Sequence, residues 1–401
     1  MTNHAQPLRE THWALRPRTV AIAGTILGLG AFWSAIPPFT VRSPLVPILI
    51  GMLAIAAGLW ALTRGARRAG WGAVAAGAVG LGLGLLSTRS SSANLQIVFN
   101  AALIGQVFVF ATPLTFGALG GMVSERSGVV NVGLEGMMLM GAFWGVYGAD
   151  KGGSWVVGLL AAMLGGGLFA LLHAFWSIHL RANQIVSGMA INFLAIGVTG
   201  YFFQQLYGNQ NIPTGVSTIP NVAIPGIDHM SYLGPAIGDM NLLVWLGIVF
   251  VPLSWFILFK TPIGLRVRAC GEHPRAADTV GINVYTVRYV AVTISGMLAA
   301  LGGAFLSIGY LSGSFSEDMT EGRGFIALAA MIFGNWRPFG AWGAALLFGF
   351  STALAYRLPV YSSSAATLFQ ALPYVLTLIA VAGVIGRSVP PKADGQPHVK
   401  Q

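Results

Sequence analysis

Apolar runs long enough to cross a bilayer recur along the whole chain, separated by short polar stretches. A bilayer core takes about 20 apolar residues of helix. On that ruler the pattern predicts spans near 20–36, 44–62, 70–87, 98–122, 129–149, 154–177, 185–207, 241–259, 288–311, 324–335, 341–358 and 366–386, twelve in all. The stretch 324–335 is too short to cross alone, and 98–149 also reads as one broken helix plus one whole one. The expected fold is an all-α polytopic membrane protein with some helices broken or short.

Composition agrees. Hydrophobic residues make up 55% of the chain and charged ones 8%, with a mean hydropathy of +0.71. Soluble domains carry roughly a quarter charged residues. The formal net charge of +10 suggests a nucleic-acid partner until its placement is considered. The arginines stand singly or in short clusters between apolar runs, which is the signature of cytoplasmic membrane loops. No nucleic acid is therefore expected. With the N-terminus inside, sixteen Lys and Arg residues fall on inner segments and five on outer ones, with Arg126 unassigned. Both termini are accordingly expected in the cytoplasm. Arg9, Arg16 and Arg18 precede the first apolar run as in a signal peptide, but no small-residue cleavage site follows, so this reads as an uncleaved helix. The single cysteine, Cys270, allows no internal disulfide.

Charge inside the apolar runs is rare, which makes SERSGVVNVGLEG (124–136) conspicuous. Glu125, Arg126 and Glu135 lie there, with no other charged residue between Arg89 and Asp150. Glu125-Arg126 reads either as a cytoplasmic turn or as a structural charge pair. On a helix, Asn131 and Glu135 would share a face, and Gly133 and Gly136 would let another helix approach closely. Two roles stay open for Glu135. The favoured one is structural, bonding the free N–H groups of a broken helix or pairing with Arg126; the other places it on a solute pathway with Asn131. Gln184 and Asn192, eight residues apart with Ser187 between them, form a second polar stripe.

Two loops stand out. The outer loop 208–240 has four prolines, two aspartates and no Lys or Arg. In the inner loop 260–287, EHPRAADTVGINV predicts a short amphipathic helix opened by His273-Pro274 and closed by Gly281 in the left-handed conformation.

These segments resemble a known family. Ala276-Ala277, then three residues, then Gly281 has the spacing of the EAA loop of bacterial ABC-importer permeases. Arg275 stands where that loop usually has glutamate, and Glu272 lies three residues earlier. That departure is common in the branch importing simple sugars, branched-chain amino acids and nucleosides. GMVSERSGVVNVGLEGMMLMGAF (121–143), RANQIVSGMAINFLA (181–195), GLRVRACGEHPRAADTVGIN (264–283) and EGRGFIALAAMIFGNWRPFG (321–340) are similar to their counterparts in nucleoside ABC-importer permeases, in the expected order.

The resemblance implies a type II importer permease core over 95–386, preceded by an extension of about three helices over 1–94 and followed by a cytoplasmic tail over 387–401. It implies that Glu272, Pro274, Arg275, Ala276, Ala277, Asp278 and Gly281 couple to ABC ATPase subunits. It further implies a second permease chain, identical or related, an extracytoplasmic substrate-binding protein, and a place in the bacterial cytoplasmic (inner) membrane among its lipids. The echo between SERSGVVNVGLEGMMLMGA and TEGRGFIALAAMIFGNWRPFG suggests a weak inverted repeat.

The residues themselves predict no catalytic group, metal ligand or cofactor. Walker A needs glycine before its lysine, and the four lysines follow Asp150, Phe259, Pro391 and Val399. The seven histidines form no HExxH pair. The rival reading is an ion-coupled secondary transporter, in which Glu125 or Glu135 would carry the ion. Its common loop signature is absent from TRGARRAGWG, the corresponding stretch.

Overall fold

The computed structural model describes residues 16–33, 43–89, 100–208, 215–311, 313–357 and 388–398. The chain divides into two compact units, Met1–Leu103 and Ile104–Gln401. In the first, α1 (Pro17–Trp33), α2 (Leu45–Thr63) and α3 (Arg67–Arg89) pack on one another. Their seams are made of small residues, with Gly28 against Ala76 and Gly77, and Gly58 against Gly70. Such seams let apolar helices approach closely where no hydrophobic drive separates protein from lipid. The outward faces present Ile26, Leu49, Leu53 and Trp71.

The second unit takes in α4 (Ala101–Arg126) from Ile104 onward, then α5 (Leu134–Gly152). After them come α6 (Trp155–Ala174), extended through wider π-type turns to His179, and α7 (Gln184–Tyr207). A two-stranded antiparallel hairpin follows, β1 (Asn221–Ala223) with β2 (Asp239–Asn241), leading into α8 (Leu242–Lys260). Two short helices, α9 (Pro262–Glu272) and α10 (Pro274–Thr279), precede α11 (Val284–Ala304), which continues to Tyr310. The described helices end with α12 (Arg323–Phe333) and α13 (Pro338–Arg357).

The middle of this unit is α5, α6 and α11, again joined by small residues: Gly141 meets Ala300, Gly166 meets Gly296 and Ala300, and Gly303 meets Met138. Larger buried side chains, among them Phe116, Phe143, Phe305 and Phe348, fill the remaining space.

Helix occupies the first eleven of the expected stretches, and the twelfth (366–386) lies outside the described residues. Seven of these helices are long and apolar enough to cross a membrane. α12 is not one of them. Its 11 residues span about 16 Å at 1.5 Å per residue, half of a hydrocarbon core of about 30 Å. Two further departures are physical. The span expected from residue 129 becomes helical only at Leu134, because residues 127–133 form an irregular break. Asn131 is therefore in the break rather than on a helix face shared with Glu135. The inner loop also contains α9, announced by Thr261-Pro262: the threonine side chain accepts from the Gly264 N–H at 3.2 Å, and the proline occupies the first turn.

Candidate functional site

The break between α4 and α5 is the polar centre of the molecule. α4 is followed by Gly128, which takes φ +91°. The Val129 N–H returns to the Ser124 carbonyl and the Gly128 N–H to that of Glu125, closing the helix with a glycine cap. That leaves the backbone of residues 130–136 buried and in need of partners, since apolar surroundings supply none.

Side chains from α6 and α7, and Asn131 of the break itself, supply them. Gln184 Oε1 accepts from the Val130 N–H at 2.7 Å, and the Val130 carbonyl faces His173 Nε2 at 3.0 Å. That carbonyl makes Nε2 the protonated nitrogen, so Nδ1 accepts from Ser187 Oγ, 2.9 Å away. Asn192 Nδ2 donates to the Val132 carbonyl at 3.1 Å while its Oδ1 accepts from the Gly136 N–H at 2.8 Å. Asn131 Oδ1 accepts from the Gly133 N–H at 3.1 Å, and its Nδ2 donates to Ser295 Oγ on α11 at 2.9 Å.

Glu135 reaches the other way. Its Oε1 accepts from the Gly322 N–H at 2.8 Å and its Oε2 from the Gly324 N–H. The carboxylate thus caps the N-terminus of α12, where the first N–H groups lack helical partners and the helix dipole favours negative charge. Gly324 is seated so closely that a Cβ there would lie 2.5 Å from the Cα of Glu135.

The far end of α12 is held by the other half of the break. Asn335 and Trp336 follow it with φ of +55° and +52°, a costly conformation for two successive non-glycine residues. Trp336 Nε1 donates to Glu125 Oε2 at 2.7 Å, and its carbonyl accepts from Arg126 Nη2 at 2.8 Å. The Arg126 guanidinium also stacks over Phe259 at 5.5 Å. Glu125 and Arg126 therefore do not pair with each other. Adjacent residues on a helix point about 100° apart, and both converge on Trp336 instead.

Matching segments meet at this place. Residues 103–381 match the family described as branched-chain amino acid transport system / permease component. The chain belongs to this permease family. The guanosine ABC transporter permease protein NupQ of Bacillus subtilis is 45% identical over 309 residues, covering 74% of this chain and 96% of the relative. The nucleoside ABC transporter permease protein NupC of Lactococcus lactis is 42% identical over 322 residues, 77% of this chain and 98% of the relative. A more distant match is the guanosine ABC transporter permease protein NupP of Bacillus subtilis, 23% identical over 266 residues, 65% of this chain and 75% of that one. No solved structure matches the chain. The permease is a multi-pass membrane protein and a transport component rather than an enzyme.

In the permease, Asn131, Glu135, Gln184 and Asn192 are brought together, all buried and all engaged with backbone groups. A second cluster lies apart from them. Glu272 ends α9, and Pro274, Arg275, Ala276, Ala277 and Asp278 form α10. Gly281 follows at φ +85°, its N–H returning to Asp278 and that of Ile282 to Ala277, the glycine cap the spacing predicts. Ala277 packs inward with Cys270 and Val284, while Arg275, Ala276 and Val280 face outward. Burial pushes the Cys270 thiol up to about 11, which keeps it an unreactive core residue.

Trp336, His173 and Ser295 belong to the first cluster and escape sequence reasoning. Each gains its meaning from a partner more than 40 residues away. Among the described residues no group of three or more His, Cys, Asp or Glu is placed to hold a metal ion.

Proposed function

We propose that this chain is one permease subunit of a bacterial ATP-driven importer of nucleosides, with two permease chains enclosing the pathway. The observation that carries this reading is the 45% and 42% identity to guanosine and nucleoside permease proteins over nearly their whole lengths. ATPase subunits seat on the outward residues of α10 and hydrolyse ATP there, an extracytoplasmic binding protein delivers the solute, and both termini lie in the cytoplasm beneath the inner membrane. The second permease is read as a sister chain: Bacillus subtilis supplies two guanosine permease proteins, one much more similar to this chain than the other. The twelve-span, type II arrangement with an inverted repeat belongs to the same proposal. The mutual seating of 124–136 and 321–340, the two echoing segments, supports it.

The clamp around residues 127–136 gives this reading its mechanics. Asn131, Glu135, Gln184 and Asn192 hold the break rigid, so α12 moves as one piece with α5 when ATP binding draws the coupling helices together. ATP favours the switched conformation only as far as it binds that state better. The test is uptake of radiolabelled guanosine by cells expressing the complete system, with adenosine, guanine and ribose as competitors. ATP depletion should abolish uptake and collapse of the ion gradient should not. Uptake that followed the ion gradient would point to a secondary carrier and overturn the proposal.

A further inference from the structure

Residues 388–398 lie beyond the family match, which ends at residue 381. They nevertheless fold back on α9, α10 and α11, on the end of α4 and on Asn335 after α12. The Ala393 N–H donates to the Gly271 carbonyl at 2.9 Å, and the Lys392 N–H points at Glu272 Oε2, 3.4 Å away. On α11, Tyr285 donates from its hydroxyl to the His398 carbonyl at 3.0 Å. Arg288 donates from Nη1 to the Gln396 carbonyl at 2.9 Å, while its Nε donates to the Ser127 carbonyl in the break. His398 Nε2 stands 3.7 Å from Asp278 Oδ2 on α10. On the far side, the Val389 N–H donates to Asn335 Oδ1 at 2.9 Å, and the Asp394 carboxyl lies beside that of Glu125.

Arg288 is almost completely buried, which a charged residue tolerates only with several partners. Here those partners come from the segment and the break together. A six-residue helix such as α10 is only about 9 Å long and has no stiffness of its own. Its apolar anchorage is the small cluster of Ala277 with Cys270 and Val284. The segment supplies the missing brace. The segment meets Asp278 at His398 and, four residues earlier, lies beside Glu125 at Asp394, and Glu125 accepts from Trp336 at the end of α12. Arg288 Nη2, Asp394 Oδ1 and His398 Nε2 are buried along this route without hydrogen-bond partners.

We infer that residues 388–398 are a positioning strut of the coupling apparatus, tying α10 to the broken core at Glu125 and Asn335 so that displacement of α10 reaches α12. This rests on the reading of α10 as the ATPase seat. A strut makes hydrolysis and transport separable, which a segment serving stability alone does not.

The test uses the complete transporter in proteoliposomes, measuring guanosine uptake and ATP hydrolysis together. D394A, and a chain ending at residue 387, should assemble with the ATPase and hydrolyse ATP at near wild-type rates while uptake per ATP falls at least tenfold. D394N places an amide donor beside Glu125 and should restore most of the ratio. If the shortened chain fails to assemble, D394A against D394N decides. An unchanged ratio of uptake to hydrolysis in D394A, or equal losses in D394A and D394N, overturns the inference. Failure of the ABC reading would look different, because wild-type uptake itself would then be independent of ATP.

Discussion

A carboxylate at the start of a short buried helix serves as acceptor and counter-charge together, and Glu135 does both for α12. Glu135→Ala leaves two N–H groups without partners, at about 1–3 kcal/mol for each buried donor. Glu135→Gln keeps one acceptor and turns an amide toward the second N–H. Melting temperature in detergent should fall in the order wild type, Gln, Ala, and uptake in the same order; an alanine variant melting like wild type would remove the clamp from the account. A second residue gives a pH dependence. Burial first, offset in part by hydrogen bonds and Arg288, holds Asp394 at about 7, well above the ordinary carboxylate value of about 3.9. A group raised in this way favours the docked strut fully below its free pKa and loses that contribution as pH rises through its docked one. His398, also facing Arg288 as well as Asp278 and Arg275, is lowered by burial and opposes docking once pH drops below its free value of about 6.5. Glu125, Arg288, Glu272 and Lys392 are the other charged groups around the strut. Hydrogen exchange of 388–398 should therefore slow as pH is lowered from 8 to 6.5, after correction for intrinsic rates, and D394N should flatten the trend.

At the scale of elements, α12 depends on how closely its first turn meets α5. In Gly324→Ala the new Cβ would press on the backbone of Glu135, where no side chain can move aside, a conflict worth about 1–3 kcal/mol. Gly343→Ala in α13 meets nothing within 4 Å and should be neutral or slightly stabilising. Uptake and melting temperature measured side by side separate the two, and equal behaviour would contradict the close seating. This contact also marks where sequence reading stops. Long apolar stretches have one reading in a bilayer, so the helices appear close to their expected places, and Pro274 and Gly281 bracket α10 because each acts locally. The start of α5 was not visible in the same way. Residues 129–133 are as apolar as the helix that follows, and their release from it depends on Gln184 and Asn192, about 55–60 residues on. Glu125-Arg126 failed as a pair for a related reason, since Trp336 lies some 210 residues away.

At the scale of the whole molecule, the two units invite different expectations. The family match begins at residue 103, where the first unit ends. About three quarters of this chain spans 96% and 98% of NupQ and NupC, so those relatives do without a counterpart of most of the first unit. The hydrogen bonds described above for the break, the α12 seat and the strut join residues of the second unit. The first unit closes its own seams with glycines and shows apolar faces outward, as a lipid-embedded bundle does. Its described helices are apolar along most of their length, a composition suited to anchoring or locating the chain. A chain beginning near residue 96, behind a new start codon, should therefore insert and support ATP-dependent guanosine uptake with an apparent affinity within about twofold of the full chain, a change of under about 0.5 kcal/mol. The expected loss is in the amount of transporter reaching the membrane, seen by quantitative blotting. A shift in affinity at equal membrane abundance would place the first unit in the transport step and contradict this division of labour.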